Sequence, residues 1–169
     1  MTAKGALGTR FARGLYRTRQ VVRALRPRID AAALEAALTA LTEPQKALFL
    51  AMERRDQRHA LEVLQRLGEA ASDPDLRVAA LLHDCGKGRA PIWLRVLHVL
   101  APRASRRLAK AGTGGWRAAA YRLAHHAELG AAKAEAAGAS PAAVRLIRGR
   151  PAPGEDAKLA LLLAADDAS

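Results

Sequence analysis

Apolar residues recur along this chain at three- and four-residue spacing, and no run of alternating β-branched residues is long enough to suggest a sheet. The pattern predicts a series of helices separated by capping residues, glycines and prolines. Leu7, Phe11, Leu15, Val22 and Leu25 lie near helical spacing in an N-terminal arm, residues 1–28, which Pro27 interrupts. Asp30 predicts the cap of a short helix through Leu41. Thr42-Glu43-Pro44-Gln45 is a strong helix start, because threonine and glutamine can cap reciprocally and proline fits the first turn. Asp56 is the expected cap of the next helix, whose Leu61, Leu64 and Leu67 form an apolar stripe with His59 near its first turn. Ser72-Asp73-Pro74 opens a helix through about Cys85, which Gly86 and Gly88 should end. Pro91 and Pro102 bracket a short helix, and Gly112 to Gly115 reads as a loop. One helix is expected from Trp116 to about Gly130, a second from Ser140-Pro141 to Arg148, and a last one from Leu159 to Asp166, after a turn at 150–154.

Length and composition agree with this. One hundred and sixty-nine residues suffice for one domain with a substantial core. Half of them are apolar but only 4% are aromatic, so alanine and leucine fill the interior, and both favour helix. The expectation is all-α: a single helical bundle over 29–169 preceded by a basic arm over 1–28.

The net charge of +12 adds a question about partners. Eight lysines and arginines, from Lys4 to Arg28, precede the first acid, Asp30. Arg103, Arg106, Arg107 and Lys110 form a second cluster. Such charge attracts phosphate on a nucleotide, a nucleic acid or an anionic membrane surface, and it also fits solvated helix faces. Base-reading surfaces interleave aromatics with cations; the arm offers only Phe11 and Tyr16. The single cysteine, Cys85, excludes an internal disulfide and a multi-cysteine zinc site, suits a cytoplasmic protein, and reads as a packing residue. No segment approaches the roughly 18 apolar residues of a transmembrane helix, and the N-terminus does not read as a signal peptide. Trp93 and Trp116 are expected in the core or a pocket wall.

Candidate chemistry centres on Leu81-Leu82-His83-Asp84-Cys85-Gly86-Lys87. Adjacent histidine and aspartate side chains on a helix point about 100° apart, so together they can cover one side of a metal. His59 from an earlier helix and Asp166 from the last, with Asp167 as the competing position, can close the other side. This mixed nitrogen and oxygen set suits a divalent metal ion (Mn, Fe, Co, Ni, Zn or Mg) without choosing among them.

The order H…HD…D, with Asp56-Gln57-Arg58-His59, the His83–Lys87 segment and Leu162-Leu163-Ala164-Ala165-Asp166, resembles the HD-domain superfamily of metal-dependent phosphohydrolases. The resemblance covers about residues 42–168. It implies an all-helical fold and hydrolysis of a phosphomonoester or phosphodiester, expected to be a small phosphorylated substrate such as a nucleotide. Asp84 would bind metal and orient water, Lys87 would stabilise phosphoryl charge, and His126 or His125 would protonate the leaving oxygen. His126-Ala127-Glu128-Leu129-Gly130 also resembles a segment of the HD-GYP branch, whose matching histidine binds a second metal. That branch continues with paired histidines and a Gly-Tyr-Pro motif. This chain has Ile147-Arg148-Gly149-Arg150 instead, and no Gly-Tyr-Pro, so a single-metal site is expected. The alternative is a non-catalytic metal-binding regulatory module whose basic arm contacts nucleic acid, membrane or a partner protein. Oligomeric state is not encoded legibly.

Overall fold

The computed structural model describes residues 29–111, 114–149 and 156–169; the basic arm, the 150–154 turn and part of the glycine loop lie outside the described residues. Among the described residues there are ten α-helices, one short 3₁₀ segment at Gly68–Ser72 and no strand, as the periodicity predicts. The helices are α1 (Ala31–Thr39), α2 (Glu43–Leu50), α3 (Arg54–Leu67), α4 (Pro74–Leu82), α5 (Ile92–Leu100), α6 (Pro102–Leu108), α7 (Gly115–Ala124), α8 (His126–Ala136), α9 (Pro141–Arg148) and α10 (Ala157–Asp167).

Local sequence explains most boundaries. Asp30 caps α1, Asp73 caps α4, Ser140 caps α9 and Asp156 caps α10, each accepting from backbone N–H groups of the first turn. The backbone N–H of Thr42 donates to the Gln45 side chain, as the capping-box reading requires. Three boundaries differ from expectation. Glu53, not Asp56, occupies the cap position of α3. Asp56 sits in the first turn, buried, where Arg95 of α5 grips both its oxygens at 2.8 Å. A tertiary ion pair thus took a residue whose local propensity favoured capping. The segment from Trp116 to Gly130 breaks into α7 and α8 at His125. Pro91 and Pro102 bracket α5 as expected, and Pro102 also opens α6, a helix the pattern did not anticipate, since proline is tolerated in a first turn. The third difference, the early end of α4, shapes the candidate site.

Helix α4 is the hub. Leu76, Ala79, Ala80, Leu81 and Leu82 are all buried, and the helix packs on α3, α9 and α10. Its small alanines let neighbours approach closely. Around it Phe49, Val63, Val144, Ile147, Leu159 and Leu162 complete one large apolar core. Buried Gln57 stitches α2 to α3. Its side-chain N–H groups are shared among the carbonyls of Phe49, Leu50 and Met52 at 3.2, 3.1 and 3.1 Å, which satisfies a helix end inside the protein. Helices α5, α6 and α7 pack on one another over a smaller cluster of Ala90, Leu94, Ala119, Ala120 and Leu123. The Arg95–Asp56 pair and the bond from Arg55 to the Ala90 carbonyl tie that group to the start of α3. Trp93 and Trp116 are not core residues. They are 53% and 39% exposed and lie ring to ring at 5.9 Å.

Candidate metal centre

Regular helix ends at Leu82, before the His-Asp pair rather than after Cys85. Residues 83–87 follow as tight turns, with Cys85 N–H donating to Leu82 O and Lys87 N–H to Asp84 O. The tightening brings His83 Nε2 and Asp84 Oδ1 within 3.5 Å of each other on one side of the chain. His83 donates from Nδ1 to the Ala80 carbonyl at 3.0 Å, which fixes the ring and leaves Nε2 as its metal-facing nitrogen.

Why the turn sits where it does is a packing matter. A Cβ on Gly86 would lie 2.0 Å from the His126 carbonyl oxygen and 2.6 Å from the Gly130 nitrogen. On the facing side, Gly130 approaches Gly86 N and His83 O at 3.3 and 3.4 Å from its own ideal Cβ position. Two glycines therefore let the backbone of the His-Asp turn touch the first turns of α8. Cys85 packs into the same junction, with Sγ 3.5 Å from the Gly130 carbonyl; burial pushes its thiol up to about 11, so it is an inert packing group at neutral pH.

Two further elements close the site. His59 of α3 and Asp166 of α10 meet at 2.7 Å between Nε2 and Oδ1, and His83 Nε2 is 3.6 Å from the same oxygen. The rings of His59 and His83 stand edge-on at 5.3 Å. His59, His83 and Asp166 each offer a ligand atom within 4.8 Å of the others. Asp167, the competing position, is exposed. The His83 and Asp84 side chains are 11% and 1% exposed, those of His59 and Asp166 27% and 36%, so the site has a closed back and an open flank.

The donor set fits a divalent cation on its own chemistry. His83 Nε2 and Asp84 Oδ1 are buried and have no hydrogen-bond partner among the described residues. Buried polar atoms are rarely left so, because desolvation without compensation is costly. The imidazole nitrogen lies 3.6 Å from Asp166 Oδ1 and the carboxylate oxygen 3.5 Å from that nitrogen. A cation bound between them would satisfy His59, His83 and Asp166; Asp84 Oδ1 adjoins this trio at 3.5 Å from His83 Nε2 but is not one of its three clustered ligand atoms. The other Asp84 oxygen accepts from Lys87 Nζ at 2.6 Å.

Electrostatics agree. Burial is the largest influence on His83 and lowers its pKa, but Asp84 and Asp166 outweigh it, and the net shift is upward. Burial likewise raises Asp84, yet His83, Lys87 and His59 together hold it below the usual carboxylate value. Asp166 is held far below that value, first by His59 and then by His83. In the metal-free protein, protonated His83 therefore stabilises the fold fully below its ordinary pKa of about 6.5, and that contribution is lost as pH rises through the raised value. The carboxylates contribute above the ordinary carboxylate range, and this is lost as pH falls through their depressed values. Chelated protein is expected to be most stable at mildly acidic pH and to lose thermal stability above about pH 6.5. A melting temperature that climbs steadily from pH 5 to pH 8 would contradict a charged His83.

His126 stands at the start of α8, half-buried. It donates from Nδ1 to the Leu123 carbonyl at 2.9 Å, and burial followed by Lys87 among other charges lowers its pKa. His125 is exposed and stacks on Tyr121 at 4.4 Å, away from this grouping. His98 was not anticipated. It approaches the Ser105 hydroxyl at 3.3 Å from Nδ1, and its pKa is lowered by burial, then by His126, Lys87 and Arg106. No spacing in the sequence joins His98 to the motif, because it arrives from α5. A cavity of about 870 Å³ between α1 and α3, lined by Ala33, Ala37, Leu61 and Leu64, contains none of the four donors. Chemistry, not cavity size, locates the centre.

The HD-domain family model matches residues 57–166. The match opens two residues before His59, closes on Asp166 and covers well over half the chain. The protein belongs to the HD-domain family, a superfamily of metal-dependent phosphohydrolases with helical folds. Comparison with curated proteins and with solved structures gave no match.

Proposed function

We propose that this protein is a metal-dependent phosphohydrolase acting on a phosphomonoester or phosphodiester of a nucleotide-like substrate, with His59, His83, Asp84 and Asp166 holding one divalent metal ion. The observation that carries this is the cluster of His59, His83 and Asp166 ligand atoms, with two buried atoms beside it, His83 Nε2 and Asp84 Oδ1, that lack a hydrogen bond among the described residues. When bound, the cation would supply an activated water and polarise a phosphoryl oxygen.

The remaining residues have roles set by position. Asp84 divides its two oxygens between the donor set and Lys87, so the lysine is held at the rim of the centre. There it can accept charge from a phosphoryl group. His126 is neutral in the free protein, since burial and Lys87 depress its pKa. A phosphate dianion nearby reverses that effect, so substrate binding itself would load the proton that the leaving oxygen needs. The open flank at His59 and Asp166 admits substrate. The nucleotide assignment rests on the family and on the charge of +12. The domain division, a basic arm over 1–28 and an HD bundle over 29–169, and a cytoplasmic location belong to the same reading. Among the described residues no helix is long and apolar enough to cross a membrane.

Elemental analysis of protein purified without chelator, followed by a chromogenic phosphoester and nucleotide screen, tests this. The expected result is about one transition-metal equivalent per chain and hydrolysis abolished by chelation. Metal uptake without hydrolysis of any phosphoester would favour the regulatory module instead.

A further inference from the structure

From Cys85 to Ala127 the sequence contains no aspartate or glutamate and nine lysines or arginines. This segment folds as α5, α6 and α7 with their small private core. Within the fold Lys87 pairs with Asp84, Arg95 with Asp56, and Arg122 donates to the Arg89 carbonyl. The side chains of Arg89, Arg103, Arg106, Arg107, Lys110 and Arg117 are exposed.

The same unit carries an apolar face that none of the described residues covers. Leu94 of α5 is fully buried in the small core. Ile92, Trp93, Val96, Val99 and Leu100 fall at i, i+1, i+4, i+7 and i+8, one continuous face of the helix, and are between 49% and 77% exposed. Single exposed apolar residues are ordinary; a whole helix face is not. Trp116 of α7 extends the face through its contact with Trp93, and Arg117 lies over the Trp116 ring at 5.1 Å.

We infer that the α5–α7 face docks on the surface of an anionic phospholipid bilayer. An exposed apolar stripe with tryptophan, in a unit rich in exposed cations and free of acids, has the composition of an interfacial helix, in which tryptophan sits at headgroup depth. Helix α5 has nine residues, so it lies along the surface and does not span. Charge argues against a second copy of this chain, since two acid-free cationic faces would repel. Single-stranded nucleic acid fits less well, because the most exposed groups, Val99 and Leu100, have no π-face on which a base can stack.

Intrinsic fluorescence tests this directly, because the chain's only two tryptophans are both on the face. The full chain is titrated with phosphatidylcholine vesicles, with vesicles also containing phosphatidylglycerol, and with a single-stranded oligonucleotide. Phosphatidylglycerol vesicles should shift the tryptophan emission to the blue and bind at least about tenfold more tightly than phosphatidylcholine alone, with the difference falling at high salt. The double variant Val99→Glu/Leu100→Glu, altered only at sites 77% exposed, should lose the shift while keeping its melting temperature. Two results overturn the inference: no shift with anionic vesicles, or a shift that persists undiminished in the double variant. Preferential binding of the oligonucleotide with tryptophan quenching overturns it in favour of nucleic acid. Binding through the arm alone would leave the emission unmoved and also counts against it.

Discussion

Asp84→Asn is expected to strip the protein of metal and to lower hydrolysis by more than about a hundredfold. The floor comes from neighbouring chemistry: losing a group that merely supports a metal ligand typically costs about 10- to 100-fold. Asp84 does more than support. Its 1% exposed carboxylate sets one oxygen, without a hydrogen bond among the described residues, 3.5 Å from His83 Nε2, and pairs with Lys87 through the other. Asparagine keeps the shape and removes the charge. The metal-free variant should also be less stable, since removing one partner of a buried charged pair costs about 3–5 kcal/mol. His59→Gln separates the two effects. His59 lies on the open flank, so this variant should fold with little loss yet bind metal weakly. Lys87→Gln should retain metal and lose turnover. Metal content, thermal unfolding and phosphoester turnover, measured together on the three variants, check this. An Asp84→Asn protein with full metal and full turnover would remove Asp84 from the centre.

Gly86→Ala is expected to be the most damaging single methyl in the described structure. The added carbon would meet backbone on the facing helix, His126 O at 2.0 Å and Gly130 N at 2.6 Å, with no flexible side chain to give way. Overpacking usually costs about 1–3 kcal/mol. A clash with backbone puts this variant at the upper end, about 3 kcal/mol, or a melting temperature lower by roughly 6–12 °C for a chain of this size. Relief requires the His-Asp turn to move off α8, so metal affinity should fall with stability. Gly114→Ala is the control. Nothing lies within 4 Å of its ideal Cβ and its φ of −77° suits any residue, so its melting temperature should stay close to that of the unchanged protein. Equal melting temperatures for the two variants would refute the close-crossing account.

The two predictions draw on different kinds of information. Asp84 stands out in the sequence because its chemistry is local: His83 is its neighbour, and a histidine beside an aspartate at the end of an apolar run is visible without a fold. Gly86 was legible only as a helix terminator. Its actual constraint is the approach of a helix that begins 40 residues later, and no pattern near Gly86 records that distance.

The same division runs through the chain. The all-α class, the caps at Asp30, Asp73 and Ser140, and the candidate donors His59, His83, Asp84 and Asp166 were legible in the sequence. Hydrophobic period, capping chemistry and ligand type act over a few residues, and the chain states them directly. Asp56 as a buried partner of Arg95, the break at His125, the outward face of Trp93 and the contact of His98 with Ser105 were decided only by tertiary structure. Each depends on which face of one helix meets another. An aspartate that could cap, or a tryptophan that could fill a core, has several local solutions of similar free energy, and long-range packing selects one of them.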